Sequence, residues 1–167
     1  MNVAKRRLHS TGGLLVVLVA LALPIQALAG AQVPLKGSDI GGFTFPATCD
    51  SGAALVVDID GTGNATHVGR YAYAALECFN PGTLLYRGEF TITAANGDTI
   101  YGTYSGEVVD IVGSVGLYEQ EAVVNGGTGR FAGASGEFHV SGEADLARGN
   151  YSQELTGSVS SLGSAKN

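Results

Sequence analysis

The stretch Gly88-Glu-Phe-Thr-Ile-Thr-Ala-Ala-Asn-Gly-Asp-Thr-Ile-Tyr-Gly-Thr-Tyr104 reads as two strands joined by a turn at Ala95-Asn96-Gly97. If Asn96-Gly97 alone made a two-residue turn, Phe90 and Ile92 would share a face with Tyr101 and Thr103, and Ile100 would fall on the other side. A three-residue loop, with a type I turn at Ala95-Asn96 and Gly97 in the left-handed region as a G1 bulge, gathers Phe90, Ile92, Ile100, Gly102 and Tyr104 on one face. The apolar register favours this second arrangement. It makes that face the inward one and leaves Glu89, Thr91, Tyr101 and Thr103 outside.

Outward from this hairpin, alternation is the dominant pattern. Leu55, Val57 and Ile59 alternate with Val56, Asp58 and Asp60, while Phe138, Val140 and Gly142 alternate with His139, Ser141 and Glu143. Tyr151, Gln153, Leu155 and Gly157 do the same against their polar neighbours. The 26 glycines are so dense that the longest Gly-free stretch after the N-terminal segment is Arg70 to Pro81, which leaves ordinary helices almost no room. Strands are expected over 38–46, 53–60, 65–78, 83–94, 98–111, 115–124, 136–146 and 150–159. The string Tyr71-Ala-Tyr-Ala-Ala-Leu-Glu77 also fits a short helix, and the inward or outward phase of 65–78 stays open because Tyr71 and Tyr73 compete with Val68, Ala72 and Ala74. Eight short antiparallel strands with no helix to cover a face must form two sheets or close on themselves. Closure removes the exposed edges, and glycines at 88, 102, 142 and 157 suit sharply coiled strands. The expected fold is all-β, an eight-stranded antiparallel β-barrel, with a β-sandwich as the alternative.

Residues 1–29 read as a secretory signal, with a basic start at Lys5, Arg6 and Arg7 and an apolar run from Leu14 to Leu23. Cleavage is expected after Ala29 or Ala31. Position 31 is Ala where a lipoprotein would carry its lipid-bearing Cys, so the product is expected to be soluble and unlipidated, secreted or periplasmic. Residues 30–167 then form a single barrel domain, with 160–167 as a flexible tail. What remains carries six Lys+Arg against fifteen Asp+Glu, a formal net charge of −9. Such acidity argues against nucleic acid or an anionic membrane surface as partner. In an oxidising compartment Cys49 and Cys78 read as a disulfide, which would add about 3–4 kcal/mol by closing a loop of about 30 residues.

The glycine-rich string Val123-Val-Asn-Gly-Gly-Thr-Gly-Arg-Phe-Ala-Gly-Ala-Ser-Gly136 is not a phosphate loop. Its spacing is G-x-G-x-x-x-G, and a strand rather than a helix comes after it. It resembles the late strand-turn-strand segment of the allene oxide cyclase and dirigent proteins, and Gly61-Thr-Gly-Asn-Ala-Thr-His-Val-Gly-Arg70 looks like a segment of secreted bacterial relatives of that calycin-like barrel family. The resemblance implies an allene oxide cyclase-type barrel, a lumen that holds an apolar ligand, and assembly into dimers or trimers. The catalytic residues of the plant families match no motif here, so no catalytic role is carried over.

Parity places Tyr86, Tyr104, Tyr118, Gln120, Tyr151 and Gln153 on inward faces, a lining rich in hydroxyls and amides. Barrels of this size either fill with side chains or hold one small ligand. Asp110 follows Tyr104 and Val108 inward and is a candidate pocket acid; His67, near a turn expected at Gly61–Gly63, is a further candidate. His139 points outward, and the pairs Glu119/Glu121 and Asp58/Asp60 fit solvated outer faces. No ligand spacing supports a metal, no cofactor motif is present, and no Gly-x-Ser-x-Gly elbow occurs. Three functions compete: a secreted barrel binding a small apolar or amphipathic molecule in its lumen, an isomerase or cyclase of the allene oxide cyclase kind, and a filled structural or surface-interaction module. The first is preferred.

Overall fold

The computed structural model describes residues 31–49 and 54–160. The signal segment 1–29 therefore lies outside the described residues, as does 161–167 of the expected tail, whereas Ser160 ends a strand. The strands are β1 (Gln32–Thr48), β2 (Leu55–Ala65), β3 (Gly69–Asn80), β4 (Leu85–Ala94), β5 (Thr99–Val112), β6 (Val115–Gly127), β7 (Gly136–Asp145) and β8 (Asn150–Ser160), with one 3-10 turn at Gly129–Phe131. Each pairs antiparallel with its sequence neighbours, and β8 closes on β1 from Gln32↔Ser160 to Gly42↔Asn150. With β1 bonded on both sides, the structure is a closed eight-stranded barrel and the sandwich is excluded.

The deciding hairpin has the expected register. Phe90 pairs with Gly102 and Ile92 with Ile100, the Gly97 N–H donates to the Ala94 carbonyl at 2.8 Å, and Gly97 has φ +87°. Phe90, Ile92, Ile100 and Tyr104 are buried.

Inward glycines serve close approach. Across the ladders Tyr71 faces Gly63, Tyr86 faces Gly106, Tyr104 faces Gly88, Tyr118 faces Gly142 and Phe90 faces Gly102. The ring lies over its glycine: a Cβ on Gly142 would stand 2.6 Å from Tyr118 Cζ. Large interior rings thus fit a narrow barrel because the facing position has no side chain.

One local reading is corrected, and one left open is settled. Gly61 and Gly63 do not turn; β2 runs through both to Ala65, and the chain reverses at Thr66–Val68. The Thr66 hydroxyl holds this reversal by accepting from Lys36 N and donating to the Pro34 carbonyl, both at 2.9 Å. His67, with φ +64°, is exposed at its tip. Residues 69–80 are a strand, not a helix, with Tyr71, Tyr73 and Ala75 buried inside.

The two ends of the barrel differ. At one, the connection 128–135 forms a plug: Phe131 is 1% exposed, and the Arg130 guanidinium lies 4.6 Å over its ring and donates to the Val68 carbonyl at 2.8 Å. Beneath it Leu35, Ile92, Ile100, Val140 and Val159 pack solidly. Toward the other end the interior becomes polar and opens.

Candidate functional site

The open half holds a cavity of about 100 Å³. Phe43, Phe45, Val57, Phe79 and Leu146 line its apolar mouth, and Tyr73, Glu77, Tyr86, Tyr104, Tyr118, Gln120, Tyr151 and Gln153 its deeper wall. Of the residues expected from sequence, Tyr86, Tyr104, Tyr118, Gln120, Tyr151 and Gln153 come together here from β4, β5, β6 and β8. A wider hollow of about 880 Å³ on the outer face is walled in part by the exposed side chains of Arg87, Glu107, Glu119 and Glu121. Among the described residues it is the lumen that offers an enclosed site with largely apolar walls.

Asp110 and His67 are not part of it. The β5–β6 pairing jumps from Val108↔Tyr118 to Asp110↔Leu117, so Val109 is an extra residue that reverses the parity of the rest of β5. Asp110 is therefore exposed, with its Oδ1 accepting from the Ile111 N–H at 2.8 Å. His67 sits on the β2–β3 turn at the plugged end. His139 faces outward and meets Glu121 across the ladder at 2.8 Å, and Glu119, Asp58 and Asp60 are exposed.

Two interior acids, Asp39 and Glu77, escape the sequence reading, and the phase left open at 65–78 resolves with Tyr71 and Tyr73 inside. Asp39 on β1 is 2% exposed, yet no basic group pairs with it. Its carboxyl accepts from the Tyr71 hydroxyl at 2.8 Å and from Gln153 Nε2 at 3.0 and 3.1 Å. Burial outweighs these bonds and holds the carboxyl above its ordinary pKa. The Gln153 carbonyl in turn accepts from the Tyr118 hydroxyl at 3.0 Å, so Asp39, Tyr71, Gln153 and Tyr118 form one chain of hydrogen bonds.

Glu77, half-buried on β3, is held differently. Oε2 accepts from the Tyr104 hydroxyl at 2.8 Å. Burial, opposed by that bond, pushes its pKa up to about 7. Burial and then the nearby Glu77 charge push the Tyr104 hydroxyl upward, so it remains a neutral donor. Tyr86 donates to the Glu119 carbonyl at 3.3 Å. The Tyr151 hydroxyl, over Gly61, is buried without a hydrogen-bond partner. The Tyr73 hydroxyl lies within reach of the Gln153 and Gln120 side chains, whose hydrogen bonding opposes the effect of burial on it.

Among the described residues no group of three or more His, Cys, Asp or Glu side chains is placed to hold a metal. Cys49 and Cys78 form a disulfide that ties the end of β1 to β3 across β2, beside the open end. No described helix is long and apolar enough to cross a membrane.

The sequence matches no protein-family model and no curated protein. Solved structures similar in fold include two dirigent proteins. The pterocarpan synthase dirigent protein GePTS1 superposes with a TM-score of 0.57 at 14% identity, covering 85% of this chain and 92% of that one. The pterocarpan synthase dirigent protein PsPTS1 gives 0.57 at 14%, covering 83% and 99%. At this identity the likeness establishes a dirigent-type eight-stranded barrel.

Proposed function

We propose that this chain is an extracytoplasmic barrel that binds a small apolar or amphipathic molecule in its lumen, as a binding protein rather than a hydrolase. The observation that carries the reading is the graded cavity: an apolar mouth leads to a polar wall of Tyr73, Glu77, Gln120 and Gln153 around space that the side chains leave unfilled. A barrel built only as a scaffold would gain by filling that space. The disulfide and the N-terminal signal segment support export, and the net charge supports a partner that is not nucleic acid. Assembly into dimers or trimers, and kinship with secreted bacterial barrels, belong to the same reading.

A second reading has one observation in its favour. Glu77 beside Tyr104 supplies the convergent acid and hydroxyl that an isomerase or cyclase needs, in the role the sequence reading gave to Asp110. It differs in requiring turnover of the bound molecule.

Native mass spectrometry of the chain purified from its source tests the proposal. A stoichiometric small-molecule adduct released on denaturation is the expected result, and the same spectrum gives the subunit number. An apo mass that also stays unchanged after soaking with small aromatic probes would overturn it.

A further inference from the structure

The wall of the cavity is acidic. Glu77 lines it, Asp39 lies just behind Gln153 and Tyr151, and among the described residues no Lys, Arg or His lines it. Asp39 is already engaged by Tyr71 and Gln153. Glu77 accepts through Oε2 only, and among the described residues Oε1 accepts no hydrogen bond. Gln120, 7% exposed, lines the same space beside Tyr73. Around them Tyr86 meets Tyr104 and Tyr118 edge to face, with ring centroids 6.2 and 6.4 Å apart.

Building on the binding role above, we propose that the ligand is a small molecule with an apolar or single-ring body and a protonated amine, its ammonium seated against Glu77 and Gln120. An ammonium offers three donors and no acceptor. Glu77 keeps Oε1 free as an acceptor among the described residues, the Gln120 amide and the Tyr73 hydroxyl line the same space, and tyrosine ring faces attract a cation. An anionic head would set a second negative charge beside a poorly solvated carboxylate. A neutral head would leave Glu77 without a counter-charge, consistent with its raised pKa in the free protein. The apolar mouth at Phe43, Val57 and Phe79 takes the body, and a cavity of about 100 Å³ suits one ring.

The test is calorimetric titration of the full chain with phenethylamine, phenethyl alcohol and phenylacetate, three probes of one shape and different charge. At about pH 8 the amine is expected to bind about tenfold or more tighter than the alcohol, with phenylacetate weakest. Glu77→Gln should erase the advantage of the amine over the alcohol, read as the ratio of the two affinities. The unmodified chain carries its own control: the amine-to-alcohol ratio should fall from about pH 8 to about pH 5 as Glu77 takes up a proton. The titratable groups facing Glu77 are Tyr104, Tyr86, Tyr73 and Tyr118, all held neutral by burial, and Asp39 is a second buried acid of the interior. Equal binding of amine and alcohol, or a preference for phenylacetate, would overturn the charge assignment and leave lumen binding standing. Failure of all three probes to bind would overturn both.

Discussion

The Tyr104 hydroxyl donates to Glu77 Oε2 at 2.8 Å, and that is the one hydrogen bond the carboxyl receives among the described residues. Burial dominates and raises the pKa from its ordinary 4.5 to about 7. The folded state therefore holds a proton that the unfolded chain releases, so this stabilisation is complete below the unfolded pKa and is lost as pH rises through the folded one. The loss amounts to about 3 kcal/mol between about pH 4.5 and pH 7, and Asp39, also raised by burial, acts in the same direction. Urea midpoints measured across this range should fall with rising pH, and the fall should shrink in Glu77→Gln. A midpoint that climbs toward neutrality would contradict the buried position of Glu77.

Gly88 lies between these two partners. A Cβ there would stand 2.5 Å from the Leu76 carbonyl, 2.7 Å from Glu77 Cβ and 2.8 Å from the Tyr104 hydroxyl. Gly88→Ala should cost about 1–3 kcal/mol in chemical denaturation, because backbone must move as well as a side chain. Gly42→Ala, whose new Cβ would meet only the Gly149 carbonyl at 3.4 Å, should stay within about 0.5 kcal/mol.

The register of the β4–β5 hairpin is tested by adjacent substitutions. Phe90 packs edge to face on Phe138 at 5.4 Å and is 3% exposed, whereas Thr91 points outward. Phe90→Asp should abolish the folded yield, since it removes a core ring worth about 3–5 kcal/mol and buries a charge. Thr91→Asp should express normally, within about 1 kcal/mol of the parent. Equal tolerance of the two, read from soluble yield and near-ultraviolet circular dichroism, would show that the faces are reversed.

The closed barrel and most of its polar lining were legible because alternation and turn chemistry agree from Leu85 to Gly157. Asp110 was misplaced because a single bulged residue, Val109, inverts parity, and no glycine or proline marks that bulge. Glu77 was missed for a different reason: Gly61 and Gly63 look like a turn when taken alone. They are inward glycines like Gly88, Gly102, Gly106 and Gly142, each of which has an aromatic ring across the ladder. On that pattern Gly61 and Gly63 select Tyr73 and Tyr71 as inward partners, and Glu77 follows by parity. Asp39 alternates with Leu35 and Phe43, but a lone acid between inward glycines carries no sign of the Tyr71 and Gln153 donors that satisfy it.

The Cys49–Cys78 bridge joins positions 29 residues apart. Replacing both with Ala should lower stability by about 3–4 kcal/mol, since the unfolded chain regains the freedom of that loop. Because the bridge lies on the outer side of β2 and no cavity-lining residue is altered, probe binding by the remaining folded protein should be unchanged. Denaturation of the double variant, paired with titration at low temperature, separates the two effects.

The central claim is that the lumen admits a ligand, and Ala144 gives the most direct access to it. It lines the cavity from β7, opposite Tyr151. Phenethyl alcohol should bind the parent chain at one saturable site. Ala144→Phe fills that space and should weaken binding by about tenfold or more, while Asp110→Ala and His67→Ala leave it unchanged. A folded Ala144→Phe variant that binds as the parent does, or a parent that shows no saturable site, would contradict the account.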